Sequence, residues 1–138
     1  MGKVTCYIGG RSVGNPGRAA IGAYITDESG SMMQEVAETI GNSTDTFAEY
    51  QAVLTGLQTL ASLLGAASKT TPVELRLVSE LVRKQLNAEL PIKEPGLVPL
   101  FIEIHNMRVE SFPLVTLSPI SPEQNANVNR LIDEALAI

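Results

Sequence analysis

Cysteine and histidine, two side chains that often do chemistry near neutral pH, each occur once in this sequence. Cys6 is the single cysteine, so it can form no internal disulfide and has no companion at metal-ligand spacing. His105 is the single histidine, and the surrounding "FIEIHNMR" offers it no serine or cysteine to activate. Glu49 follows Thr46 in "TFAE", the spacing of a capping box in which the glutamate caps a helix start. A functional carboxylate is the equally weighted alternative for Glu49.

The charge pattern limits how tightly the chain can bind nucleic acid. Its net charge is -5, and the ten Lys and Arg residues are scattered, with only Arg83 and Lys84 adjacent. Tight binding to nucleic acid draws on clustered basic residues that neutralise phosphates. Aromatic residues make up 4% and tryptophan is absent, so no stacking platform for bases is evident. Any binding is expected to be weak and strongly salt-sensitive.

The bulk composition indicates a single globular domain. The 138 residues are 44% hydrophobic and 18% charged, enough to bury one core. No apolar run approaches the roughly 18 residues of a membrane span, and no signal segment is recognisable. We therefore expect one domain over residues 1–138, in the cytoplasm and not in a membrane.

The periodicity of apolar residues predicts a mixed α and β fold. Residues 3–8 alternate as a strand, and "GNPG" then supplies turn chemistry. Two extended runs follow, with Gly30 placed for a hairpin turn, and then a helical stripe. The predicted strands are residues 3–8, 19–27, 32–41, 72–78 and 113–118, and the predicted helices are 44–65, 79–90, 97–109 and 121–138. The last helix is expected to begin at an N-cap, Ser121.

Four motifs, in order, carry a resemblance to a known family. The first strand and its turn read "YIGGRSVGNPG", and the first long helix reads "TFAEYQAVLTGL". "VSELVRKQLNAE" follows with "IKEPGLVPL" behind it, and the last helix reads "SPEQNANVNRLIDEAL". Together with the element order, these motifs resemble the type 1 ribonuclease H family in its short prokaryotic form, over essentially the whole chain. The resemblance implies a ribonuclease H-like fold with a five-stranded mixed sheet flanked by helices.

The resemblance also assigns a catalytic site. Members of the family cleave the RNA strand of an RNA/DNA hybrid by metal-assisted hydrolysis, using four carboxylates that hold two divalent ions. Those positions correspond to Gly9, Glu49, Val78 and Asn129. Only Glu49 is an acid, because glycine has no side chain, valine is apolar, and asparagine offers a carbonyl oxygen without the charge. The expected protein keeps the scaffold and has lost the metal site, so no metal or cofactor is expected.

The turn after the first strand has two interpretations. In the resembled family this region contacts the minor groove of the hybrid, which assigns nucleic-acid contacts to Gly10, Arg11, Ser12 and Asn15. Ser12 and Asn15 could bond to phosphates or 2'-hydroxyls. The "GNPG" sequence is equally what a tight turn requires without any ligand.

The leading functional hypothesis is a pseudoenzyme: a ribonuclease H-like domain that is catalytically deficient and acts as a weak nucleic-acid-binding or interaction module. Its expected partners are an RNA/DNA hybrid or another nucleic acid, a protein, or a second copy of the chain. A structural or oligomerising domain is the third hypothesis. A dry, closed pocket around Val78 would favour that role, whereas an open groove bordered by Arg11, Ser12 and Asn15 would favour nucleic-acid binding.

The enzymatic alternative is an active endoribonuclease with a non-standard metal site. Asp133 lies one helical turn beyond Asn129, about 6 Å along the axis. Glu49, Asn129 and Asp133 could then hold one Mg or Mn ion. Glu80 is a poor substitute for an acid at Val78, because it points to another side of the following helix.

Overall fold

The computed structural model describes residues 2–137, which form one five-stranded sheet and four α-helices. Three short 3-10 turns lie at residues 65–69, 95–97 and 122–125. The elements in chain order are β1 (Val4–Gly14), β2 (Gly17–Thr26), β3 (Met32–Ser43), α1 (Asp45–Leu64), β4 (Val73–Leu77), α2 (Glu80–Leu86), α3 (Val98–Glu110), β5 (Val115–Pro119) and α4 (Ala126–Leu136).

The sheet is mixed, as the sequence predicts. Its strand order is β3-β2-β1-β4-β5, with antiparallel pairing among the first three strands and parallel pairing of β1 with β4 and of β4 with β5. The parallel strands are joined by connections that carry helices, the usual arrangement for such pairs. The predicted fold class is confirmed.

Helices cover both faces of the sheet, because neighbouring residues of a strand point to opposite faces. A Cβ built on Gly10 would meet the backbone of α1, whereas one built on Gly9 would meet side chains of α4. On the α1 face, Cys6 and Ile8 are buried in the main core, and a Cβ on Gly56 would lie 3.1 Å from Ile8 Cγ2. Burial raises the pKa of the Cys6 thiol to about 12, so this core cysteine stays protonated at neutral pH.

Strand β1 is longer than the sequence predicts. The expected strand ended at residue 8, but pairing with β2 continues to Gly14, which faces Gly17 across the hairpin turn. The two glycines at positions 9 and 10 are therefore ladder residues, with Gly9 opposite Gly22. The antiparallel partner, which local periodicity does not reveal, explains the difference. The strand consequently carries Arg11 and Ser12 as well.

The start of α1 corrects the predicted capping box. Thr44, not Thr46, is the N-cap residue, and its hydroxyl accepts a hydrogen bond from the backbone N–H of Phe47 at 3.2 Å. Thr46 lies inside the first turn of the helix, so it cannot act as its N-cap. Glu49 therefore has no capping role and is free for another one.

Two further helix boundaries differ from the prediction. Helix α2 ends at Leu86 and not at residue 90, because Ala88 adopts a left-handed backbone with φ 59°. At the last helix, Ser121 and Gln124 form a capping box around a 3-10 turn, and the α-helix begins only at Ala126. The N-cap prediction for Ser121 is thus confirmed for that turn. Ile138, the predicted last helical residue, lies outside the described residues.

His105 lies in α3, inside the helix predicted over residues 97–109. It is exposed, and its ring stacks on Phe101 with 6.1 Å between ring centroids. None of the helices in residues 2–137 is long and apolar enough to cross a membrane. The single domain expected over residues 1–138 stays a prediction.

We predict that Gly10→Ala destabilises the protein by more than about 2 kcal/mol, the upper part of the range for overpacking. The new Cβ would lie 2.4 Å from the carbonyl carbon and oxygen of Ala48 and 2.8 Å from the backbone nitrogen of Glu49. These are backbone atoms that cannot rotate away. Urea unfolding followed by circular dichroism measures the effect.

Gly96→Ala is the matched control, because nothing lies within 4 Å of a Cβ at Gly96. Its effect should stay within about 0.5 kcal/mol. Equal stabilities for the two variants would show that β1 and α1 do not approach as closely as described.

Candidate functional site

The four positions that the resemblance assigns to metal-binding acids lie around one cleft of about 380 Å³. Gly9 comes from β1, Glu49 from α1, Val78 from the residue after β4, and Asn129 from α4. They meet because β1 and β4 are adjacent parallel strands, while α1 and α4 cover opposite faces of β1. The structure therefore brings together all four positions that the sequence had singled out.

Gly9 leaves room for α4 to approach the sheet. A Cβ at this position would lie 3.0 Å from Val128 Cγ1 and 3.5 Å from the Asn125 side-chain nitrogen. Contact at 3.0 Å is closer than ordinary van der Waals packing. An aspartate at position 9 would therefore fit only if Val128 moved.

Glu49 is a partly buried acid with an unsatisfied oxygen. Its Oε2 is buried and has no hydrogen-bond partner among the described residues. Burial raises the pKa of Glu49, a hydrogen bond from the Ser79 hydroxyl lowers it, and repulsion by Asp45 raises it, with a net upward shift. A carboxylate held in this way costs stability and is typical of a residue kept for function.

Val78 is open to solvent, with 41% of its surface exposed. It lies between β4 and Ser79, the N-cap of α2, whose hydroxyl accepts a hydrogen bond from Val82 N at 3.2 Å. The dry, closed pocket that would favour a purely structural role is therefore not what the structure shows around Val78. The apolar side chain offers no ligand to a cation.

Two asparagines complete the α4 side of the cleft. Asn125 is buried, and its side-chain nitrogen donates to the Ile8 carbonyl at 3.1 Å, while its Oδ1 has no partner among residues 2–137. Asn129 is exposed, and its side-chain nitrogen donates to the Pro122 carbonyl at 3.4 Å. Both offer amide oxygens without a negative charge.

Arg11 lines the cleft and forms an ion pair with Asp133, in which Nη2 of the guanidinium donates to Oδ1. The side chains are 40% and 47% exposed. Asp133 is not among the residues that line the cleft. Of the three ligands in the enzymatic alternative, Glu49 and Asn129 therefore share the cleft, and Asp133 binds Arg11 at its border.

Ser12 and Asn15, expected to contact nucleic acid, bond to the start of α1. Both the backbone N–H and the hydroxyl of Ser12 donate to Asp45 Oδ1 at 2.8 Å. Asn15 Oδ1 accepts from the Asp45 N–H at 3.0 Å. Neither residue lines the cleft. Their contacts clamp the β1–β2 hairpin to α1, and their role toward nucleic acid stays a prediction.

The side chains that line the cleft do not provide the ligands that a pair of divalent cations needs. Within residues 2–137, no three Asp, Glu, His or Cys side chains are grouped so that they could hold a metal ion. Hard cations in such sites take several carboxylate oxygens. The cleft offers Glu49, two neutral amides and Asp45, whose Oδ1 is already engaged by Ser12.

The sequence reasoning missed Asp45 and Asn125. Asp45 follows the N-cap Thr44, and an acid in the first helical turn is a recognisable signal. Asn125 gives no comparable signal, because its partner Ile8 lies 117 residues away in the chain. Only the folded structure brings Asn125 beside Ile8.

Comparison with known proteins agrees with this geometry. A family model described as Reverse transcriptase-like matches residues 9–135. LC11-RNase H1, isolated from compost by a metagenomic approach, superposes with a TM-score of 0.94 at 36% identity, covering 99% of this chain and 97% of its own. The chain belongs to the type 1 ribonuclease H family. A structure of LC11-RNase H1 in complex with an RNA/DNA hybrid is similar too, with a TM-score of 0.92.

Two further members of the family are longer proteins. Ribonuclease HI of Halobacterium salinarum is 30% identical over 98% of this chain, which spans 65% of that protein. A bifunctional protein of Mycobacterium tuberculosis is 29% identical over 97% of this chain, which spans 35% of its length. The N-terminal ribonuclease H domain of the mycobacterial protein superposes with a TM-score of 0.85.

We predict that Glu49→Gln makes the protein more stable at pH 7. The raised pKa means that the folded state binds a proton more tightly than the unfolded chain, so stability falls as pH rises through the folded-state pKa. Because glutamine does not titrate, the substitution removes this loss of stability at higher pH. Urea unfolding at several pH values should show a gain at pH 7 that disappears below about pH 4.3, the ordinary pKa of a glutamate.

Glu80→Gln is the control for this measurement. A hydrogen bond from Lys84 lowers the pKa of Glu80, whose side chain is 69% exposed, so no gain is expected at pH 7. A Glu49→Gln protein that is less stable than wild type at pH 7 would show that Glu49 makes a net stabilising contact.

Proposed function

We propose that this protein is a catalytically deficient ribonuclease H-like domain that binds nucleic acid duplexes, RNA/DNA hybrids above all, with low affinity. One observation supports the loss of catalysis: of the four positions that meet in the cleft, only Glu49 carries a carboxylate. Metal-assisted hydrolysis needs ligands that hold two cations against the attacking and leaving oxygens. No catalytic step is assigned to the cleft.

Retained binding is supported by the shape and contents of the cleft. The cleft is open at Val78, and Arg11 lines it. LC11-RNase H1, similar over 97% of this chain, has been solved with an RNA/DNA hybrid. The net charge of -5 and the absence of tryptophan argue for weak affinity with a strong salt dependence. The cytoplasmic location, a protein partner and a homodimer stay predictions.

The enzymatic alternative is an RNA/DNA-hybrid endoribonuclease with one Mg or Mn ion on Glu49, Asn129 and Asp133. The unsatisfied Oε2 of Glu49 is the observation that favours it. It requires Asp133 to leave Arg11 and reach the cleft, which costs an ion pair. A cleavage assay separates the two candidates.

We predict that the purified protein cleaves a labelled RNA/DNA hybrid at least about 100-fold more slowly than Halobacterium salinarum ribonuclease HI, in magnesium and in manganese. Loss of an outer-shell partner alone costs 10- to 100-fold in metal affinity or activity, and here three assigned ligands are absent. Gel analysis of the cleaved RNA strand gives the rates.

The control restores the acids: Gly9→Asp, Val78→Asp and Asn129→Asp. Because a Cβ at Gly9 would lie 3.0 Å from Val128 Cγ1, a second version adds Val128→Ala to make room. Activity that appears only in a restored version would show that the scaffold is intact. Metal-dependent cleavage by the unaltered protein, abolished by Glu49→Gln, would contradict the proposal and establish the alternative.

A further inference from the structure

Arg11 places a positive charge in a cleft where the resembled enzymes hold cations. It follows Gly9 and Gly10 on β1, and it lines the same cleft as Glu49 and Asn129. Three of the acids assigned to this cleft are absent from the chain, and Asp45 and Glu49 are the two acids among the described residues that line it. Its ion-pair partner is Asp133, which lies on α4 outside the cleft lining.

Another anion can take the place of Asp133 as the ion-pair partner of Arg11. The side chains are 40% and 47% exposed, and ion pairs exposed to water to this degree contribute little to stability. The recorded contact uses Nη2 of the guanidinium, which offers five N–H donors in a planar fork. A phosphate binds such a fork through two parallel hydrogen bonds, which makes arginine a favoured phosphate ligand.

Among residues 2–137, only two acids, Asp45 and Glu49, line the cleft beside Arg11. Asp45 Oδ1 accepts two hydrogen bonds from Ser12, which fix it against the hairpin. Glu49 is the one carboxylate among the four positions assigned to metal-binding acids. The amide groups of Asn125 and Asn129 carry no charge. A phosphodiester in the cleft would thus meet less repulsion than a cluster of four carboxylates would exert.

We propose that Arg11 binds a backbone phosphodiester of the nucleic acid in this cleft without any metal ion, and that Asp133 competes with the phosphate for the guanidinium. The proposal rests on the proposed function, since it names the group through which the cleft holds a duplex. Asp133 then acts as an internal competitor that keeps affinity low. This cleft then binds a phosphate group where the resembled enzymes bind metal ions.

The first arm of the test removes the positive charge. Fluorescence anisotropy of a labelled RNA/DNA hybrid, at low salt with EDTA, measures the affinity of wild type, Arg11→Gln and Arg130→Gln. Arg130 is the matched control, because it is 45% exposed, forms ion pairs with Glu35 and Glu134, and does not line the cleft. Arg11→Gln should weaken binding about fivefold or more and reduce the salt slope by about 1. Arg130→Gln should change affinity less than about twofold.

The second arm removes the competitor. Asp133→Asn should tighten binding about two- to fivefold, because the guanidinium is released for the phosphate. Glu134→Gln is the control, since it removes the same charge from the next residue of α4 and breaks one of the two ion pairs of Arg130 instead. If only Asp133→Asn raises the affinity for the hybrid, the result supports competition between Asp133 and phosphate for Arg11. If Asp133→Asn and Glu134→Gln raise the affinity equally, the effect comes from net charge alone and the proposed competition is overturned. Thermal melting verifies that all four variants are folded.

The outcomes separate this inference from the proposed function. Equal losses in Arg11→Gln and Arg130→Gln, with wild type still binding, would overturn the phosphate site alone. No hybrid binding by wild type at low salt would overturn both proposals. Inorganic phosphate at matched ionic strength is the last arm: displacement of the hybrid from wild type but not from Arg11→Gln would support the proposal, because free phosphate and the phosphodiester then compete for the same guanidinium. Equal displacement from both proteins would overturn it.

Discussion

The close approach of β1 to α1 at Gly10 is the constraint on which the site depends. A Cβ there would lie 2.4 Å from backbone atoms of Ala48, so strand and helix touch through their main chains. That contact fixes Glu49, the next residue of α1, beside Gly9 on β1. Pairing of β1 with β4 then places Val78 at the same cleft, and α4 closes it from the opposite face. None of these steps requires a metal ion.

The fold of this protein therefore does not depend on the carboxylates that the resemblance assigns to the cleft. Four carboxylates in one cleft repel one another unless cations neutralise them. With glycine, valine and asparagine at three of the positions, the repulsion that remains is that between Asp45 and Glu49, and burial of Glu49 still costs stability. At the border of the cleft, Arg11 and Asp133 neutralise each other. Within the described part of the chain, the result is a cleft lined by one arginine, Arg11, and two acids, Asp45 and Glu49, inside a ribonuclease H fold.

Apolar periodicity and motif order, which local stretches carry, predicted the fold. The resemblance to the ribonuclease H family assigned the four positions that meet in the cleft. The sequence did not predict features that depend on a contact with a residue far away in the chain. The extension of β1 through Gly14 depends on pairing with β2, and the Arg11–Asp133 ion pair joins residues 122 positions apart. The capping error at Thr46 has a different origin: Thr44 lies two residues earlier, and only backbone geometry distinguishes the two threonines.

Paramagnetic broadening by Mn²⁺ tests the central claim, that the cleft does not hold a divalent cation, most directly. The ¹⁵N-labelled protein would be titrated with Mn²⁺ alone and with an RNA/DNA hybrid present, following the amide signals of Gly9, Glu49 and Asn129. Glu103, an exposed acid on α3, is the reference for non-specific binding. The account predicts that the three cleft signals broaden no more than that of Glu103. Selective loss of the cleft signals at low Mn²⁺ would contradict it and show that the metal site survives.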